Sequence, residues 1–383
     1  YKIRAFHQLR AIGERYETDL FTLADQEADL EHQAALERYC RKVTAVLLNP
    51  RAARLRSLAY LFTRTPLTLP YFRSSRLARE VQAAMRARSY DRVFVYSSSM
   101  AQYAMEEGVP VLMDFVDVDS DKWGQYAAFS RFPFSAVYRR EARRLAEYER
   151  AVAERAACVL VTTEREAQLV RRTANARVHV IPNGVDAGYF DPGAEPRNTQ
   201  PVIVFTGDMS YFPNIEAARF FALNVLPLVR RSVPDASFLI VGRNPSAAVR
   251  QLRKLPRVEV TGSVPDVRPY LARARVSVAP FSIAAGVQNK ILEALAYELP
   301  VVATPKAVQG LLPGVAEIIE TGATAEELAM KTVRLLVNEQ RAHSIGAEGR
   351  RRVAAHYRWE STLDSLLRLL ERPAGAEALA CAQ

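Results

Sequence analysis

The stretch GVQNKILEALAYELPVVAT, residues 286–304, decides the fold. Ile, Leu and Ala recur at helical spacing from Ile291 onward, and the β-branched run VVAT follows directly after Pro300. A helix that leads straight into an apolar strand is part of a βαβ unit, so this stretch predicts a parallel sheet. Its first residues are a glycine, two amides and a lysine, a polar cluster at a helix start that requires an explanation of its own.

The same alternation of strands and helices runs along the whole chain. Apolar runs in the first half are ETDLFTL, VTAVLL, DRVFVYS, PVLMDF, ACVLVTT and VHVIPN, and those in the second half are PVIVFTG, SFLIVG, RVEVTG, RVSVAP, PVVAT and EIIE. Each set suffices for one doubly wound, Rossmann-like domain. Between them, residues 182–201 are dense in Pro, Gly, Asn and Asp, which is typical of a hinge. The fold class predicted is therefore α/β with two such domains facing across a cleft.

These patterns also give domain limits. We predict an N-terminal domain over residues 1–184, a linker over 185–200, a C-terminal domain over 201–355, and a helix over 356–373 that crosses back to the first domain. The chain opens with Tyr1 and an amphipathic helical pattern, where a doubly wound domain opens with a strand and a turn. We therefore expect the first strand and loop of the N-terminal domain to be absent from this chain.

Composition limits the class of protein. Of 383 residues, 49% are hydrophobic and 25% are charged, which is typical of a globular α/β protein with two cores. No apolar run approaches the roughly 20 residues that span a bilayer. Cys40, Cys158 and Cys381 are too scattered for a disulfide framework or a zinc site, so the sequence favours a cytoplasmic location.

The net charge of +10 is unevenly distributed. Ten arginines lie between Arg51 and Arg92, against only Glu80 and Asp91. Such a segment can face nucleic acid, anionic lipid or phosphorylated substrates, or it can be a well-solvated surface. Because LAYLF and LPYF interleave with the arginines, we favour an anionic membrane surface, and no nucleic-acid-binding motif accompanies the charge.

The polar cluster of the opening stretch predicts an anion site. Ligands of open α/β sheets bind where helix amino termini follow the carboxyl ends of strands. With a helix starting near Val287, the amides of Gly286 and Val287 and the charge of Lys290 would attract a phosphate. Glu293 lies on the same helical face as Lys290 and suits the hydroxyls of a ribose, so the pair predicts a nucleotide. Asn289, next to Lys290, is counted among the nucleotide-binding residues. The alternative is that Asn289 caps the helix and the charged residues are ordinary surface residues.

Three more strand ends carry the same kind of loop. Gly207 and Asp208 follow the first strand of the second half, and Arg243 follows the next one in IVGRN, where its guanidinium can fork onto a phosphate. Ser263 and Val264 follow a third strand in VTGSVPDV. Each loop alone fits a plain glycine turn, but together they favour a nucleotide site at one sheet edge.

The motifs of the second half run from VHVIPNGVDAGYFDP through VIVFTGDMSYFPN, FLIVGRNP and VEVTGSVPDVRPYLARARVSVAPF to GVQNKILEALAYELPVVAT. They resemble the GT-B glycosyltransferases of family 4. Together with LMDFVDVDSDKWGQYA and RSLAYLFTRTPLTLPYFRS, they are similar to the sugar transferases that accompany exosortase/PEP-CTERM systems. The resemblance covers nearly the whole chain. It implies a GT-B fold and transfer of a sugar from a nucleotide-diphosphate donor, with retention, in exopolysaccharide synthesis.

The resemblance carries over only in part to the site. Family members usually have two glutamates eight positions apart: Glu293 matches the second, which holds the ribose, but Ala285 stands at the first, which touches the sugar. Lys290 matches the NK variant of the phosphate-binding pair. The loop after Gly207 has no Arg or Lys, which leaves Arg243 as a substitute.

The first domain is then expected to hold the acceptor. In DFVDVDSDKW we interpret Asp117 as a contact for acceptor hydroxyls, with Asp119 or Ser120 capping the helix that follows; capping alone is the alternative. A calcium loop is excluded because its twelfth position, Ala128, has no carboxylate. A metal site is disfavoured, because a GT-B enzyme neutralises the leaving diphosphate with Lys, Arg and helix dipoles.

The prediction is a metal-independent, hexosyltransferase-type enzyme without a cofactor other than its nucleotide-sugar substrate. Lys290, Arg243 and Asp117 are the candidate catalytic residues. The acceptor is expected to be a glycan, on a polyprenyl diphosphate by resemblance, with the inner face of the plasma membrane as a further location. A nucleotide-sugar epimerase of GT-B fold and a non-catalytic nucleotide-sugar-binding protein are the alternatives.

Overall fold

The computed structural model describes residues 2–105, 108–193 and 200–371. The chain divides into two compact units, unit 1 with residues 1–182 and 363–383, and unit 2 with residues 183–362. Part of the predicted linker, residues 194–199, and Cys381 with the chain from residue 372 lie outside the described residues. Val185 and Phe190 of that linker are buried in the core of unit 2.

Unit 2 is built on one parallel sheet of six strands in the order β12-β11-β10-β7-β8-β9. The strands are β7 Val202–Thr206, β8 Ser237–Val241, β9 Val258–Val260, β10 Val276–Ala279, β11 Val301–Ala303 and β12 Glu320–Thr321. The winding reverses between β7 and β10, which makes this pair the topological switch point where doubly wound sheets bind ligands. The predicted strand at residues 317–320 is wrong in position: the strand begins only at Glu320, and Ile319 packs into the core from the turn before it.

Helices cover both faces of this sheet, as the βαβ pattern predicts. They are α10 Phe212–Phe220, α11 Leu226–Ser232, α12 Ala247–Gln251, α13 Arg268–Ala272, α14 Asn289–Ala296, α15 Pro305–Val308, α16 Pro313–Ala316, α17 Ala325–Val337 and α18 Glu339–His356, with a π-helical turn at Phe221–Val225 and a 3₁₀ turn at Leu252–Lys254. The last helix, α19 Trp359–Glu371, begins in unit 2 and belongs to unit 1 from Leu363 onward. β7 and β10 are buried along their whole length, so the switch point is held by the centre of the core.

Unit 1 has parallel strands in two sheets, β2-β1 and β3-β4-β5-β6. The strands are β1 Asp19–Ala24, β2 Lys42–Leu47, β3 Val93–Tyr96, β4 Val111–Val116, β5 Cys158–Val161 and β6 Val178–Val180. The predicted α/β fold with parallel sheets is thus confirmed. β1 and β3 both line a cavity of about 2210 Å³ within unit 1.

The helices of unit 1 are α1 Lys2–Gly13, α2 Glu27–Leu30, α3 Gln33–Leu36, α4 Pro50–Leu58, α5 Thr68–Tyr71, α6 Ser75–Ala87, α7 Asp119–Phe129, α8 Phe134–Arg155 and α9 Glu164–Thr173, with a 3₁₀ helix at Ser98–Tyr103. None of the helices within the described ranges of the chain is both long and apolar enough to cross a bilayer.

A buried ion pair fixes α1 to the sheet of unit 1. The guanidinium of Arg4 donates to Asp114 Oδ2 at 2.9 and 3.0 Å and to the carbonyl of Ile181 at 2.9 Å. Gln8 donates to the same carboxylate oxygen at 2.6 Å, and the amide of Val116 donates to the other oxygen at 2.9 Å. Since Arg4 and Asp114 are 2% and 0% exposed, removal of either partner would leave the other as an unpaired buried charge, which is costly.

Candidate functional site

The site in unit 2 is centred on Lys290, in the first turn of α14 at the carboxyl end of β10. The predicted helix start near Val287 is two residues early, because α14 begins at Asn289 and Gln288 is its N-cap residue. Gly286 and Val287 therefore lie in the loop before the helix. The side chain of Val287 is buried in the core and anchors that loop.

Two aromatic rings and one amide surround the ammonium of Lys290. Its Nζ lies 4.3 Å from the ring centre of Phe205 and 4.5 Å from that of Phe281, which are the last residue but one of β7 and a residue just after β10. It also donates to Asn214 Oδ1 at 2.6 Å, from the first turn of α10. The cation is thus held at the switch point by groups from both of its strands.

Burial sets the protonation of this cation. It lowers the pKa of Lys290 from 10.5 to about 7, and the nearby Glu293 carboxylate opposes that shift only in part. Burial likewise raises the pKa of Glu293, against the effect of Lys290. Lys290 therefore titrates near neutral pH, and an anionic ligand beside it would raise its pKa and keep it protonated.

Two glycines allow the loops to approach each other beside this lysine. Gly207 has φ +149°, and a Cβ there would lie 2.9 Å from the Nζ of Lys290 and 2.8 Å from the amide of Asn214. Gly242, at φ +154°, would place a Cβ 1.6 Å from the carbonyl oxygen of Gly207. A side chain at either position would fill the space next to the ammonium or separate the loops.

Asp208 and Arg243 form an ion pair across the loops after β7 and β8. Nε of Arg243 donates to Asp208 Oδ2 at 2.9 Å, and the side chain of Arg243 is 60% exposed. Burial alone would raise the pKa of Asp208, but hydrogen bonds from Ser210 and Arg243 outweigh it and lower the pKa. The fork predicted for a phosphate is thus engaged with a carboxylate in this structure.

The other predicted residues of this edge have different neighbours. Asn289 does not cap α14; its side chain accepts a hydrogen bond of 2.8 Å from Asn183, so the capping interpretation is wrong. Ser263 is exposed after the edge strand β9, while Val264 packs partly on the core of unit 2. Because β8 lies between β7 and β9, Ser263 is about 10 Å across the sheet from the strand end before Gly207.

Three residues that contact Lys290 were missed in the sequence: Phe205, Asn214 and Phe281. Asn214 is 7% exposed although it is an amide on a helix, and the two rings are 0% and 1% exposed. A polar residue in the first turn of the helix after Gly207 was the only available signal for Asn214. The rings look like ordinary core residues, and only their position at adjacent strand ends distinguishes them.

In unit 1, Asp117 is 9% exposed and lines the large cavity beside Tyr96, Ser97 and Lys122. Burial would lower the pKa of Lys122, but the carboxylates of Asp119 and Asp117 outweigh it and raise the pKa. Lys122 donates a short hydrogen bond to Asp119. Asp117 thus belongs to a charged cluster at the carboxyl end of β4.

The predicted capping of α7 is wrong. Val118 is its N-cap residue and makes no side-chain cap, while the amide and hydroxyl of Ser120 both donate to Glu149. Burial raises the pKa of Glu149 to about 8, although the hydrogen bonds from Ser120 lower it. Burial and Asp117 raise the pKa of Glu166 to about 7. Neither glutamate was expected from the sequence, because both lie on later helices, α8 and α9, far along the chain from Asp117.

Both units match family models. Residues 3–184 match the model described as "Glycosyl transferase 4-like domain", and residues 200–338 match "Glycosyl transferases group 1". A GDP-mannose-dependent alpha-(1-6)-phosphatidylinositol monomannoside mannosyltransferase of Mycobacterium tuberculosis is 30% identical over 159 residues, 36% of this chain. The match spans 40% of the length of that relative.

Solved structures resemble this one over nearly the whole chain. Anabaena Alr3699/HepE in complex with UDP-glucose has a TM-score of 0.66 at 16% identity, and the match covers 96% of this chain and 95% of that one. The sucrose-phosphate synthase of Thermosynechococcus elongatus has a TM-score of 0.64 at 18% identity, with 96% of each chain covered. At these identities the likeness establishes the fold, which is GT-B.

Proposed function

This chain belongs to the group 1 glycosyltransferases, with a glycosyl transferase 4-like domain in unit 1 and a group 1 glycosyl transferase domain in unit 2. We propose that it transfers a sugar from a nucleotide-diphosphate donor to a glycan acceptor. The observation that carries the proposal is the cation at the switch point of unit 2. Lys290 lies there between Phe205 and Phe281 with Glu293 one turn further along α14. A cation and a carboxylate at a strand end suit a diphosphate and a ribose.

The proposed reaction exchanges one bond at the anomeric carbon of the sugar. The bond to the diphosphate oxygen breaks and its electron pair stays on the diphosphate, while an acceptor hydroxyl bonds to the carbon and releases its proton. Negative charge therefore grows on the leaving group. We assign its stabilisation to Lys290 and to the backbone amides of Gly286 and Val287, and the ribose hydroxyls to Glu293.

Arg243 has a secondary role in this proposal. Its guanidinium must exchange Asp208 for a phosphate oxygen, a movement that a side chain 60% exposed can make. Ser263 and Val264, two strands away, are assigned to the far end of the nucleotide. Asp117, on the cavity of unit 1, is assigned to acceptor hydroxyls.

The finer parts of the proposal rest on resemblance. Similarity to family 4 and to the transferases of exosortase/PEP-CTERM systems supports retention of configuration and a role in exopolysaccharide synthesis. An acceptor on a polyprenyl diphosphate would bring the enzyme to the inner face of the plasma membrane. The mycobacterial relative uses GDP-mannose and Alr3699/HepE was solved with UDP-glucose, so both nucleotides are candidate donors.

The first test is a thermal-shift screen of the chain against UDP-, GDP- and ADP-sugars, since a ligand that binds only the native state raises the melting temperature. We expect a clear shift with one nucleotide class. Release of the nucleotide is then followed with and without lipid-linked glycan. Release that requires the glycan supports the transferase, and a lack of any shift contradicts the donor site.

Two other outcomes identify the alternatives. A GT-B epimerase would convert the donor to another nucleotide sugar without an acceptor. A non-catalytic protein would show the thermal shift without any conversion, as Ala285 at the place of the usual first glutamate allows.

A further inference from the structure

We infer that unit 1 docks on an anionic lipid bilayer through α4, the loop of residues 59–67 and the turn of residues 129–134, here called the basic aromatic face. The inference deepens the proposed function, since it rests on the membrane location proposed there and names the surface that would meet the lipid.

Large apolar side chains protrude from this face. Phe62 is 97% exposed, Phe132 is 84% exposed and Leu55 is 72% exposed, and Leu58, Phe129 and Phe134 are each more than half exposed. Single exposed apolar residues are normal on a protein, but six on two adjoining segments form a patch that indicates a binding surface.

Helix α4 has its apolar side turned outward. Ala53 and Ser57, four residues apart, are its buried residues. Leu55 and Leu58 lie on the opposite side with Arg51 and Arg54, all exposed. Because residues at spacings of three, four and seven share one helical face, these leucines and arginines form a single outward stripe. A helix that served only to cover the core would have the reverse pattern.

Hydrogen bonds hold the loop of residues 59–67 against the start of α8. Arg140 donates to the carbonyls of Tyr60 and Thr65 at 2.9 and 3.0 Å. Glu141 accepts from the amide of Leu67 at 2.6 Å. Phe134 precedes Glu141 by seven residues, so it lies on the same side of α8, about 10 Å away along the helix. The two exposed aromatic segments are therefore parts of one face.

The charge of this face is entirely positive. No Asp or Glu occurs in residues 50–79 or in residues 122–140. Exposed arginines, by contrast, lie among the apolar side chains: Arg51, Arg54, Arg64, Arg131 and Arg139. A protein partner would have to offer carboxylates and apolar pockets together, and a nucleic acid has no use for the leucines of α4. An anionic bilayer complements both features at once, with headgroups for the guanidinium groups and acyl chains for the aromatic rings.

The test is flotation of the purified chain with phosphatidylglycerol/phosphatidylcholine vesicles and with pure phosphatidylcholine vesicles, without donor or acceptor. We expect flotation with the anionic vesicles that weakens at high salt, where charges are screened. The variant Phe62→Ser/Phe132→Ser should lose about tenfold or more in vesicle affinity, because it removes the two aromatic rings that would be buried in the bilayer. Met330→Ser, which removes a side chain 60% exposed on unit 2, is the matched control and should float like the wild type.

Several results would overturn the inference. The first is absence of flotation with anionic vesicles, and the second is equal flotation of the double variant and the wild type. The third is a wild-type dimer in the absence of lipid that becomes monomeric in the double variant, which would assign the face to a second copy. Melting temperatures of both variants check folding. Because the thermal-shift screen with nucleotide sugars needs no lipid, failure of vesicle binding and failure of the proposed transferase are distinguishable.

Discussion

Replacing Lys290 by Met tests the donor site most directly. Methionine keeps the length of the side chain and its contacts with Phe205 and Phe281, but it removes the charge and the donor to Asn214. If Lys290 binds the diphosphate, the variant loses a charge-assisted hydrogen bond worth about 1.5–3 kcal/mol. This corresponds to a dissociation constant for the nucleotide sugar that is about 10- to 150-fold higher.

The lowered pKa of Lys290 also predicts how wild-type binding depends on pH. Burial lowers the pKa of Lys290 to about 7, so the amine loses its proton as the pH rises through 7. If only the protonated form binds, about nine-tenths of the sites are competent at pH 6 and about one-tenth at pH 8, and the apparent affinity falls by about tenfold over that range. A bound diphosphate raises the pKa again, so binding at pH 7 to 8 takes up a proton.

The assay is isothermal titration calorimetry with whichever nucleotide sugar gives the largest thermal shift, at pH 6, 7 and 8. Titrations in two buffers of different ionisation enthalpy measure the proton uptake. Lys254→Met is the control, because Lys254 is exposed and precedes the amino end of β9, whereas Lys290 follows the carboxyl end of β10. Lys290→Met should bind weakly with no proton uptake, and its melting temperature without ligand establishes that it folds.

The reasoning is refuted if Lys290→Met binds the nucleotide sugar as tightly as the wild type. It is also refuted if wild-type binding strengthens from pH 6 to pH 8, since deprotonation of Lys290 can only remove positive charge from the site.

Two further predictions concern the stability of unit 1. Arg4→Met should lower the free energy of unfolding in urea by about 3–5 kcal/mol, because Asp114 keeps a buried charge without its partner. Arg10→Met is the control and should change the stability little, because its pair with Glu14 is partly exposed to solvent. An equal loss of stability in both variants would contradict the account. Burial raises the pKa of Glu149 from 4.5 to about 8, so the native state holds a proton that the unfolded state releases, and wild-type stability falls as pH rises from about 5 to 8. Glu149→Gln removes that loss; melting temperatures that differ equally from the wild type at pH 5 and pH 8 would exclude a titrating Glu149.

Local patterns were enough for much of the fold. Eleven of the twelve predicted strands form where the apolar runs lie, because buried parallel strands are continuous apolar runs and their ends carry glycines. In the exception, residues 317–320, only Glu320 belongs to the strand, and residues 317–319 lie in the turn after α16. A run of four residues is too short for its composition to separate a strand from a buried turn.

Local patterns were less informative about contacts. Capping was predicted for Asp119 or Ser120 and was the alternative role for Asn289, but Asn289 is bound by Asn183 and Ser120 by Glu149. These partners are far away along the chain. A side chain that bonds to such a partner does not cap the backbone amides of its own helix. Residue type alone does not show which partner is within reach.

The sequence by itself determined that the chain alternates strands and helices in two sets, and that Gly207 and Lys290 follow strand ends where a parallel sheet binds ligands. These properties depend on residue periodicity and on backbone freedom at glycine, which are local. Only the tertiary structure decided that Lys290 lies between two phenylalanine rings with its pKa lowered to about 7, and that Arg243 pairs with Asp208. Burial and charge pairing depend on atoms that are distant along the chain and come together only in the folded protein, so they arise only once the sheet has formed.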